Sequence, residues 1–430
     1  MLNKFLSRRL FLIISEKSTI QKTLFFCIIM SILIFLFLNG LIRNPQGIQL
    51  NVFFNRLNDF FADYFNIMRY VSERNPYFNS TNGFAEKVYF PFAYMILYPF
   101  SCLDSYATMS LADAWSSKIG IMSCLMFTVG SLSILFMSLS TLYGENKYKY
   151  WVFLMLLLSS ITLFSIERGN IAIITAGCIV SFLALYKSPV KFYRIIALSF
   201  LCIASTLKVY PVLLGILLLK DKNYKAILFC SIVTLLLVFI PFIFFEHGFS
   251  NVQQLIHNLQ LNTNNYGPES NFPRFSLPNL IYVGSRIVNL PNNLMQVFIT
   301  VSQITVILLS LISIALVFLV KDRWKEIALL IFVIIQFPAN SALYCGLYFF
   351  PVIILFLIKK DIKKIDWVYI ILFCVFLNPF QLLVVLNHSI NPILSNISIL
   401  IMWVITIGTT LIDYYKLNKF KLTKVAISSI

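Results

Sequence analysis

Ten apolar stretches recur along this chain, at about 23–42, 119–142, 150–166, 171–186, 192–219, 226–245, 297–320, 327–358, 367–386 and 393–412. No other feature constrains the fold as much. A hydrocarbon core about 30 Å thick is crossed by roughly 20 apolar residues of helix. Backbone in lipid must satisfy its own hydrogen bonds, which leaves only helices and closed barrels. The apolarity here is continuous and does not alternate, which excludes a barrel. With 59% hydrophobic and 12% charged residues, the chain is also far from the roughly 25% charge of a soluble domain. Disordered, collagenous, coiled-coil and disulfide-stapled classes fall by the same numbers. The expected fold is an all-α polytopic membrane protein, a single integral domain over 1–430.

Cations decide the orientation. The chain carries 34 Lys+Arg against 17 Asp+Glu, and cytoplasmic loops collect Lys and Arg. Lys4, Arg8, Arg9, Lys17 and Lys22 precede the 23–42 stretch, which has no small-residue cleavage site after it. It reads as a retained span with a cytoplasmic N-terminus. Two stretches resist a single crossing, because each has basic residues on both flanks. One contains Lys208-Val209-Tyr210-Pro211, the other Pro338-Ala339-Asn340-Ser341. Reading each as a hairpin of two short helices gives about 12 crossings with both termini cytoplasmic. That topology places 24 of the 34 cations inside and 10 outside, while the acids split 8 and 9. The net charge of +17 is thus accounted for by membrane topology, and no nucleic acid partner is called for.

Two outward segments are long, 44–117 and 246–296, and long loops carry function more often than short ones. The first includes a short apolar piece at 88–103 with Pro91 and Pro99, read as re-entrant or interfacial. Phe54, Leu57, Phe61, Tyr64 and Met68 recur at three and four, which predicts an amphipathic helix at the membrane surface. On it Asp59 and Asp63 would share one face, either as a chemical pair or simply solvated.

Three further groups stand out. Glu167-Arg168-Gly169-Asn170 is either a tight turn or a turn whose arginine grips a phosphate. Lys208 lies in an apolar stretch, where a cation costs roughly 2.5–3.5 kcal/mol at mid-membrane. It either snorkels to the interface or holds an anion at a helix break. Arg274, in Asn271-Phe272-Pro273-Arg274-Phe275-Ser276-Leu277-Pro278-Asn279, offers a second phosphate contact on a proline-punctuated loop. The eight cysteines lie mostly in apolar runs without a CxxC pair, and the three histidines are far apart. No metal site and no cofactor is expected. There is no GxxxxGK[ST] and no HExxH. No cytoplasmic loop is long enough for a nucleotide, so an activated donor would be held in the membrane.

These residues, in this order, resemble the polytopic glycosyltransferases of the GT-C fold, and most closely glycosyltransferase family 87. The resemblance rests on Asp59-Phe60, then Asn75-Pro76-Tyr77, then Tyr89 with Pro91 and Pro99, then Arg168-Gly169-Asn170, then Lys208-Val209-Tyr210-Pro211. It runs from about residue 51 to 225. Asp63 departs from the pattern, standing where the family commonly has tyrosine, and the turn from Pro338 to Tyr348 lacks the Trp and His often seen there. The resemblance implies transfer of a hexose such as mannose from a polyprenyl-phosphate carrier to a glycan or glycolipid acceptor. The transfer would take place at the outer face of the bacterial inner membrane. Asp59 takes the position of the proposed catalytic base, with Asp63 second. Arg168 and Lys208 would neutralise the departing phosphate, and Asn170, Tyr210 and Arg274 would line the substrate site. An inverting single displacement follows from one base and no nucleophile. The rivals are a lipid-linked oligosaccharide polymerase or flippase, and a transporter of envelope polysaccharide. A transporter would want polar residues at mid-span and repeats, which are scarce here; a polymerase would differ in consuming a diphosphate-linked donor.

Overall fold

The computed structural model describes residues 24, 26, 29–30, 61–78, 83–145, 148–269, 274–338, 340–359, 361–378, 384–385 and 388–428. Asp59, the basic N-terminal flank, most of the 23–42 stretch, residues 44–60 of the first outer loop and Asn271–Pro273 lie outside the described residues. What is described is helical apart from a two-residue strand pair, Val384–Val385 with His388–Ser389.

The first long loop supplies α1 (Ala62–Val71), α2 (Pro91–Ser101) and α3 (Leu111–Ser116). Then come α4 (Lys118–Tyr143), α5 (Lys149–Leu157), α6 (Ser160–Arg168), α7 (Ala172–Leu185) and α8 (Lys191–Leu207). A 3-10 helix, Tyr210–Leu214, leads into α9 (Gly215–Lys220), followed by α10 (Tyr224–Phe239). The second long loop holds α11 (Asn251–Asn265) and α12 (Leu277–Ile287). Next are α13 (Asn292–Leu319) and α14 (Arg323–Gln336). A 3-10 helix, Leu343–Phe349, precedes α15 (Phe350–Ile358), and α16 (Asp366–Leu377) and α17 (Ile390–Ser428) complete the chain.

Local signals set the boundaries. The Ser117 hydroxyl accepts from Gly120 N at 3.0 Å to start α4, and Gly144, at φ 73°, ends it. Ser110 and Asp113 form a reciprocal capping box for α3. Pro91 opens α2 at a position where the missing N–H costs nothing. At 11 residues, α2 is about 16 Å long, half of what a crossing needs.

Among the described residues four helices are long and apolar enough to cross a membrane: Lys118–Tyr143, Tyr224–Phe244, Asn292–Leu319 and Pro392–Lys416. A fifth is added if α5 and α6, bent by 54° at their junction, count as one span. The sequence reading expected about 12 crossings. Several apolar stretches instead fold as helices too short to cross in one piece, because polar and proline positions break them. The two broken stretches fold back on themselves. Lys187 and Asp221, which flank the first, are ion-paired at 3.1 Å. Lys325 and Lys363, which flank the second, both reach Asp413, at 2.7 and 3.3 Å. At that same base Trp324 packs edge-on against Phe356, with ring centroids 5.1 Å apart.

The second hairpin is the middle of the bundle. Residues 324–336 of α14 and 350–357 of α15 are buried on every side, as a helix that is apolar all round must be. By contrast α4, α10 and α13 leave one apolar flank bare, including Met122, Met126, Leu228, Leu235, Val301 and Ile304. Such a belt is far too large for a monomer in water and suits hydrocarbon.

The bundle has two chemically different ends. The bases of both hairpins gather the ion pairs Lys187–Asp221, Lys220–Glu326, Lys325–Asp413 and Lys359–Asp366. Their tips, with Lys208 on the first, lie at the opposite end, where the two long loops meet. There Asn258 donates to the carbonyls of Tyr77 and Lys87 at 3.3 and 3.2 Å, and Asn262 to that of Ala85 at 2.7 Å. The loops far apart in sequence therefore form one cap.

Candidate active site

The Arg168-Gly169-Asn170 turn organises the first half of the site. Gly169 ends α6 with φ 61°, the left-handed region that side chains other than glycine's resist. A Cβ there would also sit 2.8 Å from Cβ of Tyr64 in α1. The glycine thus permits both the reversal of the chain and the close approach of α1. Phe61 N–H donates to the Glu167 carbonyl at 2.7 Å, which docks the start of α1 onto the turn.

Asp63, in the first turn of α1, then lies between the two residues that flank Gly169. Arg168 donates from Nε at 3.0 Å and from a terminal nitrogen to the same Asp63 oxygen. Asn170 Nδ2 donates at 2.6 Å to the other. Asn170 Oδ1 in turn accepts from Ala172 N at 2.8 Å and starts α7. Sequence reading had Arg168 meeting a phosphate; here the guanidinium meets Asp63. Gly169→Ala combines a strained backbone, worth about 1–3 kcal/mol, with a steric clash. We expect a clear drop in melting temperature in detergent, with Gly144→Ala, which has open space around it, serving to separate the clash from the strain. Equal drops in the two variants would remove the argument for close approach.

One expectation needs correction. The spacing predicted a helix running from Phe54 through Met68 with Asp59 and Asp63 on one face. The helix begins at Ala62, and Phe61 before it has φ 53°, which breaks helical continuity. That break lies between the two sequence positions, and Asp63's charge is met by Arg168. The tertiary contact to the Glu167 carbonyl overrode the apolar periodicity.

Lys208 anchors the second half. It follows α8 in extended conformation, with φ −144° and ψ 129°. Its ammonium donates to Tyr89 Oη at 3.3 Å and lies 4.6 Å from the Tyr89 ring centroid and 5.7 Å from that of Tyr344. Among the described residues no carboxylate pairs with it. Tyr89 is itself held by the Asn75-Pro76-Tyr77 turn. Asn75 Oδ1 accepts from the backbone N–H of Tyr77 at 3.0 Å, and Tyr77 Oη donates to the Tyr89 carbonyl at 2.9 Å. Asn75 Nδ2 also donates to the Glu246 carbonyl at 2.9 Å in the second loop. The sequence marks this tripeptide as part of the family resemblance without giving it a role at the site.

Arg274 closes the site from the second loop. It is 7% exposed, its guanidinium lies 5.6 Å from the Tyr266 ring, and its carbonyl accepts from Asn396 at 2.9 Å. Tyr266 donates its hydroxyl to Glu86; that carboxylate and burial push the Tyr266 phenol up to about 12, burial acting most. Tyr210 is 38% exposed and sits at the rim, within electrostatic reach of Lys208.

The 3-10 helix Leu343–Phe349 brings in residues that the sequence did not single out. Tyr344 stacks on Phe164 with centroids 6.1 Å apart. Lys208 lies 5.7 Å from the Tyr344 ring centroid, and Asp63 and Arg274 are within electrostatic reach of the same side chain. Tyr348 and Cys345 are within electrostatic reach of the same lysine. No spacing rule marks these side chains, because they sit in the tip of an apolar hairpin. Among the described residues no three metal-ligating side chains gather.

The site thus has a tethered carboxylate, an arginine beside it, a lysine in an aromatic cage and a buried arginine opposite. Neither curated proteins nor solved structures yield a match to this chain. A family model does. It covers residues 88–335 and so spans Tyr89, Arg168, Asn170, Lys208, Tyr210 and Arg274, starting downstream of Asp63. With more than half of its length matched and its residues arranged in this way, the chain belongs to glycosyltransferase family 87.

Proposed function

We propose that the protein transfers a hexose, mannose foremost, from a polyprenyl-phosphate carrier to a lipid- or polysaccharide-linked acceptor at the outer face of the cytoplasmic membrane. The observation that supports this most is Lys208, a caged cation with no carboxylate partner among the described residues. Breaking the bond from the sugar's anomeric carbon to the phosphate oxygen leaves a lipid phosphate that gains negative charge. Fixed cations at that point stabilise the transition state more than the ground state. Lys208 and Arg274 would supply them, with Arg168 sharing its charge between Asp63 and the donor.

A general base completes the displacement. Asp59 takes the proton from the acceptor hydroxyl as its oxygen bonds to the anomeric carbon, with inversion in one step. Asp63, held through both oxygens, orients Arg168 and Asn170 and is the second choice for base. Purified full-length protein, supplied with a synthetic polyprenyl-phosphate hexose and membrane glycolipid, should release polyprenyl phosphate as the sugar appears on the acceptor. Transfer from a nucleotide sugar but not from the lipid-linked one would overturn the donor assignment.

The outward placement of 44–117 and 246–296 is testable at the same time. Tyr106 is fully buried, whereas Ser105 is exposed. A cysteine at position 105, on a background without Cys102, should react with an impermeant maleimide in intact cells. Labelling only after the cells are opened would reverse the topology.

A further inference from the structure

At the opposite end of the bundle from Lys208, an open cavity of about 470 Å³ lies where α13 ends, α14 begins and α17 passes residues 410–416. Lys321, Lys363 and Lys416 supply its cations, and Leu319, Val320 and Tyr414 its apolar wall. We propose that this cavity binds the phosphate headgroup of an anionic phospholipid.

The charges are unevenly matched. Asp413 faces the cavity but is already held by Lys325, whose side chain is 5% exposed, and by Lys363. Asp322 stands directly before the first turn of α14, where a helix N-terminus favours negative charge. Lys321 and Lys416 have no ion pair among the described residues, and both are exposed. Two uncommitted cations therefore border one concavity.

Its position says what kind of anion fits. Two of the helices long enough to cross the membrane, Asn292–Leu319 and Pro392–Lys416, end at this cavity. It thus lies at headgroup level, with apolar surface such as Leu319, Ile312 and Leu308, 43%, 43% and 54% exposed, leading from it along one stripe of α13. A soluble anion has no use for that track, and an acyl chain does. Basic pockets at the cytoplasmic ends of spans are where anionic lipid headgroups collect, and the sorting of cations in the sequence puts this end on the cytoplasmic side. The site is separate from the transfer centre and does not depend on the donor assignment.

The test uses delipidated full-length protein in a neutral detergent, titrated with short-chain phosphatidylglycerol, short-chain phosphatidylcholine or inorganic phosphate. Native mass spectrometry counts the bound lipid. Phosphatidylglycerol should bind at least about tenfold tighter than phosphatidylcholine, and millimolar inorganic phosphate should not displace it. Each lysine near an anionic surface contributes about 1 kcal/mol, so Lys321→Ala with Lys416→Ala should weaken binding roughly 25-fold. The corresponding double arginine variant should keep it, and Lys225→Ala, an exposed lysine outside the cavity, should change nothing. Wild-type affinity in the double alanine variant, equal binding of the two lipids, or displacement by inorganic phosphate would each overturn the proposal. Sugar transfer is not the readout, so a failure here leaves the proposed reaction standing, and the reverse.

Discussion

Asp59→Asn should lower sugar transfer by at least about 100-fold, with the protein still inserted and folded. The substitution keeps size and most hydrogen bonding and removes only the basic carboxylate. General-base catalysis is worth about 10²–10⁴-fold, so the lower bound follows from loss of that single role. Asp63→Asn should cost less, because an amide oxygen can still accept from Arg168. Its new NH₂ group, however, would face Asn170 Nδ2, which now donates at 2.6 Å, so two donors would oppose each other. The loss should appear as weaker orientation, with Arg168→Ala and Asp63→Asn far from additive, since they act through one contact. Initial rates with saturating polyprenyl-phosphate hexose decide the matter. A fully active Asp59→Asn beside a dead Asp63→Asn would move the base to α1.

The second large effect is expected at Lys208. Truncating it to alanine removes the cation proposed to meet the developing phosphate charge and leaves Tyr89 and Tyr344 without the ammonium between them. Removing one preorganised donor of this kind costs about 10²–10³-fold in rate, and the loss should fall on turnover more than on acceptor affinity. Lys208→Arg should recover a good part of it, because the charge persists and a guanidinium also stacks on aromatic rings. Tyr89→Phe is the finer probe. It deletes the hydroxyl that accepts from Lys208 at 3.3 Å but keeps the ring at 4.6 Å, so only a several-fold loss is expected. Alanine at 208 with normal turnover would leave the phosphate site unassigned.

The contrast between these residues shows what reading a chain in one dimension can reach. Lys208 was visible because a cation in an apolar stretch is expensive, and expense points to use. Gly169 was visible as a breaker between apolar runs. Tyr344 and Tyr348 were not, since a tyrosine near a membrane interface is ordinary and its neighbours are set by how a hairpin tip folds over. Asp63 was seen, but not its contact with Arg168. Apolar spacing at three and four argued for a helix that carried Asp59 along. One long-range backbone bond, from Phe61 to the Glu167 carbonyl, turns the chain before that helix begins.

What the sequence determined by itself is whatever depends on summed local properties. Apolar length made the chain a helical membrane protein. The one-sided placement of lysines argued for two hairpins, and the structure brings the ends of each together at Lys187–Asp221 and at Asp413. The order of short motifs led to the family. Only the tertiary structure decided which of those motifs meet. Arg168 lies 105 residues from Asp63, and Lys208 lies 119 from Tyr89. A pairing across that distance is fixed by the packing of whole helices against each other, through contacts such as Gly169 against Tyr64. No periodicity along the chain encodes which helix face will find which partner, because that choice belongs to the shape of the assembled bundle.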